Sequence, residues 1–218
     1  ADLLAFELAR MIHIAGAVKS RKASRHAVSD WMKMEQERGI SITSSVLQFD
    51  HKGCRLNLLD TPGHADFSED TYRVLAAVDC AVMLIDNAKG VEDRTRKLFD
   101  VCRLRGIPVL TFINKCDREG IDPLNLMDDI GNALGIECAP VFWPVGTGRE
   151  FVGVYDRASR EVLRFGAGRG TELVQFDRIK PGDLTGSVAD KLAEDIELLD
   201  AAGDTYQPDK FLAGKQTP

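Results

Sequence analysis

Hydrophobic residues along this chain fall into two spacings. RLNLLD (55–60), CAVMLID (80–86) and IPVLTFIN (107–114) are apolar, β-branched runs of strand length. None alternates strictly with polar residues, so they read as strands buried on both faces, as in a parallel sheet. Elsewhere apolar residues recur at every third or fourth position: in DFSEDTYRVLAAV (66–78), VEDRTRKLFDVCRLRG (91–106) and PLNLMDDIGNALG (123–135). That spacing predicts amphipathic helices. Gly106 is a stop for the second, while the third opens on Pro123 and ends at a glycine. Strands alternating with helices predict a doubly wound α/β sheet with right-handed crossovers. Ligands of such sheets sit beyond the carboxyl ends of the strands, where Asp60 and Asn114 both fall.

From about Phe142 the texture changes. Residues 146–176 alternate over short stretches broken by turns, which predicts an antiparallel insert. VADKLAEDIELLDAAG (188–203) returns to helical spacing. The insert's GAGRG (166–170) departs from Gly-x-Gly-x-x-Gly because Thr171 takes the last position. It also lies between antiparallel strands instead of before a helix, and so reads as a turn. The chain is thereby divided into an α/β domain (1–141), a β-rich insert (142–187), and a helix with a return segment (188–218).

Composition narrows the classes without choosing among them. The 218 residues are 44% hydrophobic and 28% charged, enough for one sizeable domain with a real core. A net charge of −6 provides no global basic field for nucleic acid. KSRKASRH (19–26) is a local exception, readable as a solvated loop or as an RNA or phosphate contact. Five cysteines, an odd number with no Cys-x-x-Cys, fit reduced thiols in a cytoplasmic protein better than disulfides or a zinc site. No apolar run approaches the ~20 residues that span a membrane, and no signal peptide is evident.

Two short stretches bring chemistry. In LLDTPGHADF (58–67) a strand stops at Asp60, and Thr61, Pro62 and Gly63 cannot continue it. In FINKCDREG (112–120) a buried strand runs into Asn114, Lys115, Cys116 and Asp117. Guanine presents two neighbouring donors, its ring N–H and exocyclic amine, and a single carboxylate such as Asp117 can accept both. Adenine would leave that carboxylate desolvated and unpaired. Lys115 can lay its aliphatic stem over the base plane, and Asn114 can tie the loop to neighbouring backbone. The competing reading is a polar loop that caps the sheet. Asp60 can hold Mg²⁺ through water. Gly63 can offer its N–H to a γ-phosphate and act as a hinge. His64 can reach the attacking water, or can simply precede a helix starting near Asp66.

Through these motifs the sequence resembles the translational GTPases. SDWMKMEQERGISITSSVLQFD (29–50) resembles the first switch of that superfamily, otherwise an amphipathic loop without ligands. There the resemblance implies Mg²⁺ ligation by Ser41, where most relatives carry Thr. Within the superfamily, GAVKSRKASRHAVSDWMKMEQERGISIT, DTPGHADFSEDTYRVL, AKGVEDRTRKL and FINKCDREGIDPLNLMDDI resemble the bacterial peptide chain release factor 3 family. Elongation factor G shares the short motifs but resembles these flanks less. The resemblance runs over nearly the whole chain. It implies a P-loop NTPase-type, doubly wound, mainly parallel sheet with an antiparallel β-rich insert, residues 1–141 forming the GTP-binding domain. It also implies hydrolysis of GTP with Mg²⁺. His64 would be catalytic, Asp60 to His64 and Asn114 to Asp117 would bind nucleotide, and Ser41 and Asp60 would hold the metal. Expected partners are the ribosome, through its RNA and proteins, and class-I release factors. A monomeric, cytoplasmic protein with no membrane contact is expected.

One part of the family pattern is missing. No Gly-x-x-x-x-Gly-Lys-Ser/Thr occurs in the sequence. LLAFELAR (3–10) resembles the family's extreme N-terminus, and MIHIAGAVKS (11–20) resembles the segment after its first helix. A break between Arg10 and Met11 is therefore expected, of roughly 25–30 residues, or one strand–loop–helix unit. A chain without that phosphate loop is expected to hydrolyse GTP poorly or not at all. A non-hydrolysing nucleotide-binding scaffold is the reading from a different class.

Overall fold

The computed structural model describes residues 45–51, 54–61, 68–165, 176–201 and 206–207. The break expected at Arg10–Met11, the basic stretch 19–26 and GAGRG (166–170) lie outside them.

The first element among the described residues is a hairpin of β1 (Ser45–His51) and β2 (Cys54–Asp60), antiparallel from Ser45↔Asp60 to His51↔Cys54. The expectation that 55–60 is a doubly buried strand of a parallel sheet is corrected here. Its hydrogen-bonded partner is antiparallel, and Arg55, Leu56 and Asn57 are exposed. The physical reason lies in the register, which sets polar residue against polar residue. Gln48 is opposite Asn57 and donates to its Oδ1 at 2.7 Å, and Asp50 is opposite Arg55, paired at 3.1 Å. Arg-Leu-Asn-Leu does alternate, but the polar half is recognisable only once 45–51 is seen as a strand.

Helix α1 (Ser68–Leu75) ends at Leu75, three residues before the predicted 78. Next come β3 (Ala81–Asp86), α2 (Asp93–Arg105), β4 (Val109–Asn114) and α3 (Pro123–Leu134). Strands β3 and β4 pair in parallel from Ala81↔Val109 to Asp86↔Asn114, with α2 as the crossover. The helix ends follow the expected punctuation. Gly106 and Gly135 cap α2 and α3 in the left-handed conformation, each at φ 65°. Asp122 starts α3 by accepting the N–H groups of Leu124 and Asn125 while Pro123 takes the first turn.

Both helices bury their apolar stripe against the same side of the parallel pair. Phe99 from α2 and Leu126, Ile130 and Leu134 from α3 cluster with Ile85, flanked by Met83, Val109 and Ile113. The opposite side, with Val82, Leu84 and Leu110, stays exposed among the described residues, Leu84 at 56%. Strands β3 and β4 are thus covered on one face there, not on the two expected, because both helices lie on that face.

The remaining strands form a four-stranded antiparallel sheet, in the order β5 (Phe142–Val145), β6 (Gly153–Asp156), β7 (Glu161–Phe165), β8 (Phe176–Ile179). This is the antiparallel texture expected from the sequence. Pro144 sits within β5 at no cost to the ladder's interior, since β5 is an edge strand. Helix α4 (Ser187–Ala201) covers this sheet, and Leu192 and Leu199 join Trp143, Val145, Tyr155 and Val162 in a second core. Leu124 and Met127 of α3 pack on that core too, so α3 serves both.

Among the described residues no helix is long and apolar enough to cross a membrane. Cys102 is buried, Cys116 and Cys138 are half-buried and Cys80 is exposed, all as free thiols. Burial pushes the Cys102 and Cys138 thiols up, as expected of inert structural cysteines.

Candidate functional site

The parallel register sets Asp86 beside Asn114 at the carboxyl ends of β3 and β4, and each strand feeds a loop there. After β3, residues 86–90 fold into a compact turn. Asp86 Oδ1 accepts the Ala88 N–H at 2.9 Å, and the Asp86 carbonyl accepts the N–H groups of Lys89 and Gly90. An Asp at a strand end followed by a glycine is a sequence built for this turn. After β4, Asn114 to Gly120 turns back, with Arg118 N–H donating to the Lys115 carbonyl at 3.0 Å.

The two loops are joined. Asn87 N–H donates to the Asn114 carbonyl at 2.9 Å, and Ile121 N–H donates to the Asn87 carbonyl at 3.0 Å. Lys115 Nζ reaches Asp86 Oδ2 at 2.5 Å. This lysine hydrogen bond, then the Ala88 N–H, holds the Asp86 carboxyl below the usual carboxylate range. Asn87 is buried, and its side-chain amide lies 3.5 Å from the Arg118 carbonyl. Gly120 is seated against it: a Cβ there would run into the Asn87 amide and come within 2.8 Å of the Asn87 carbonyl oxygen. From the insert side, Gly148 N–H donates to the Cys116 carbonyl at 3.2 Å.

Lys115 adopts φ 67°, the left-handed region that non-glycine residues rarely occupy. Asp117, the next residue but one, is exposed. Asn114 Oδ1 is buried and has no hydrogen-bond partner among the described residues. A buried amide oxygen left unmatched costs about 1–3 kcal/mol, which any incoming donor would recover. Strained backbone, an orphaned acceptor and an exposed carboxylate on one loop are what a ligand site looks like before its ligand is drawn in. One loop thus carries the Asp117 carboxylate and the Lys115 side chain, and the Asn114 carbonyl ties it to the Asn87 N–H.

The other sequence-predicted residues are placed less fully. Asp60 ends β2, half-buried, and Thr61 follows it. Ser41, Pro62, Gly63 and His64 lie outside the described residues. No cluster of three metal-binding side chains occurs among the described residues. Asp60 offers a carboxylate, which would suit Mg²⁺ with waters and phosphate oxygens completing the shell. Sequence reasoning overlooked Asp86, Asn87 and Gly120. The signal was present, since Asp86 obeys the same strand-end rule that singled out Asp60 and Asn114.

The model of the family described as the elongation factor Tu GTP binding domain matches residues 7–207. A crystal structure of a protein from Thermus thermophilus superposes with a TM-score of 0.71 at 22% identity, over 98% of this chain and 31% of that one. At that identity the likeness is one of fold. The chain spans about a third of the length of that relative.

Proposed function

This chain belongs to the elongation factor Tu GTP binding domain family, and from that membership we propose that it is the GTP-hydrolysing domain of a bacterial peptide chain release factor 3. Guanine-nucleotide binding and a G-domain fold come with the family, which is one of GTPases. The finer assignment is supported by the flanking sequences, above all AKGVEDRTRKL and FINKCDREGIDPLNLMDDI. In this reading the protein acts on the ribosome and recycles class-I release factors after peptide release, as a cytoplasmic monomer. The division into residues 1–141, 142–187 and 188–218 is part of the same proposal.

The observation that carries the reading is the Asn114–Asp117 loop: an exposed carboxylate and a buried, unmatched amide oxygen on a backbone already bent. Asp117 accepts both guanine donors, Lys115 covers the base, and Asn114 with Cys116 completes the loop. Asp60, Thr61, Pro62 and Gly63 serve the γ-phosphate end. Mg²⁺ would be held by Asp60 and Ser41, and when bound it offsets phosphate charge. His64 orients the water in line with the γ-phosphate, swung into place on the Pro62–Gly63 hinge. Elongation factor G carries the same short motifs and is the nearest rival. The rival from a different class is a nucleotide-binding scaffold without hydrolysis, which a missing Gly-x-x-x-x-Gly-Lys-Ser/Thr would support if no strand–loop–helix unit stood between Arg10 and Met11.

Base choice tests the site directly. Asp117→Asn replaces one acceptor with a donor, so preference should move from GDP towards xanthosine diphosphate. Calorimetry with both nucleotides reads it, and an unchanged preference removes Asp117 from the base pocket. In the whole protein, His64→Ala should leave nucleotide dissociation constants within a few-fold. It should slow ribosome-stimulated single-turnover hydrolysis by ~10² or more. Near-normal hydrolysis would end the catalytic assignment. GTP-dependent release of a class-I factor from post-termination ribosomes, with no tRNA translocation, separates release factor 3 from elongation factor G.

A further inference from the structure

The proposed reading gives tasks to Lys115 and Asp117 and leaves Asp86 without one. Yet Asp86 is the residue on which both loops converge. Its Oδ1 accepts the Ala88 N–H at 2.9 Å and shapes the β3 turn, while its Oδ2 holds Lys115 Nζ at 2.5 Å. The register partner of Asp86 is Asn114, and Asn87 is bonded to the Asn114 carbonyl and to the Ile121 N–H. The two arms of the Asp86 carboxylate thus tie a hydrogen-bonded turn to a residue with strained backbone, Lys115 at φ 67°.

A lysine side chain has four rotatable methylenes and a point charge, so free in solvent its stem has no fixed direction. The ion pair removes that freedom at the ammonium end, so the methylene stem is held between the loop backbone and the Asp86 carboxylate. Asp86 is the less exposed partner, its side chain 19% accessible against 41% for Lys115. It is the anchor, and Lys115 is the arm. Both its partners also keep its carboxyl ionised well into acid.

We infer that Asp86 is a positioning residue for guanine-nucleotide binding: through its ion pair it fixes Lys115 so that the lysine stem lies ready over the base that Asp117 reads. This rests on the guanine reading proposed above.

A double-mutant cycle on the full chain tests it, with GDP as the probe. Asp86→Asn keeps an oxygen for the Ala88 N–H but gives up the charge that holds Lys115. It should raise the GDP dissociation constant about tenfold. In a Lys115→Met background the same change should cost less than about twofold, because a residue acting through Lys115 has nothing left to position. An equal loss in both backgrounds, or none in the first, overturns the assignment. Amide hydrogen exchange at Lys115–Arg118 without nucleotide gives an independent reading. Exchange should quicken in Asp86→Asn and stay unchanged at the second core, around Trp143. Unchanged exchange at the loop means that Asp86 does not hold it. Should the wild type fail to prefer GDP over ADP, the guanine reading falls, and with it the purpose assigned to Asp86. The exchange result still decides whether the ion pair holds the loop.

Discussion

Two carboxylate–lysine pairs in this molecule have the same chemistry and different surroundings. Asp195, on α4, is buried. It accepts the Trp143 indole N–H at 3.0 Å with one oxygen and pairs with Lys191 at 2.8 Å through the other. Trp143 in turn sits in the second core with Val145 and Val162, so this carboxylate fastens a helix to a sheet. Asp86 joins two loops at the open end of two strands, and its lysine carries a strained backbone. In the first case the carboxylate lies among packed side chains with its lysine half-exposed, and losing its partners would leave a buried oxygen unmatched. In the second it ties together two loops, with both partners partly accessible. Similar pairs therefore hold the fold in one place and, in the reading proposed above, organise a site in another, and surroundings decide which.

The contrast can be broken or sharpened experimentally. The largest effect is expected at the helix–sheet junction. Trp143→Ala removes a core aromatic and the donor to Asp195, and should cost about 3–5 kcal/mol of unfolding free energy. Urea denaturation measures it, and base preference in the molecules that remain folded should not move. A loss of GDP selectivity in step with stability would mean that the two regions are one. Gly120→Ala comes next. Its Cβ would press on Asn87, an overpacking cost of about 1–3 kcal/mol. Unlike Trp143→Ala it should weaken GDP binding while leaving the indole environment unchanged by near-ultraviolet dichroism.

The pairs should also part at opposite ends of the pH scale. Asp86 has its carboxyl held low in the fold, so its contribution is complete above the unfolded value near ~3.9 and fades as pH falls through the lower folded value. Lys191 has its ammonium pushed up, first by its hydrogen bond to Asp195. Its contribution is complete below ~10.4 and fades as pH rises through the higher folded value. The alkaline loss should be slight, because Lys191 is half-exposed. Amide shifts of Ala88 and Lys115 on acid titration, and of α4 on alkaline titration, check both arms. Movement of Lys115 first in alkali would reverse the comparison. The smallest effect belongs to neither region: Leu104, exposed at 87% near the end of α2, should tolerate Leu104→Lys within about 0.5 kcal/mol in a thermal melt.

Much of this was legible along the chain. Pro123 with Asp122 and the glycines at 106 and 135 bounded two helices within a residue or two, because capping is local chemistry. Strands β3 and β4 and the alternating insert followed from periodicity alone. The Asn114–Asp117 loop announced itself because a strand end, a carboxylate and a lysine lie within a few residues. The hairpin partner of 54–60 did not, since 45–51 was read with the switch-like stretch before it and register is a relation between two segments.

Legible in the chain, therefore, was what depends on neighbours along it: spacing, caps, turn residues and the residue types of the Asn114–Asp117 loop. Tertiary structure decided the rest. That α2 and α3 cover the same face of the parallel pair, leaving Leu84 open, depends on how two separated helices dock. That Asp86 meets Lys115, 29 positions away, and Trp143 meets Asp195, 52 positions away, depends on strand pairing and on helix packing respectively. Electrostatic and packing energies fall off over ångströms in space, and the distance along a chain that folds back on itself says little about which ångströms those are.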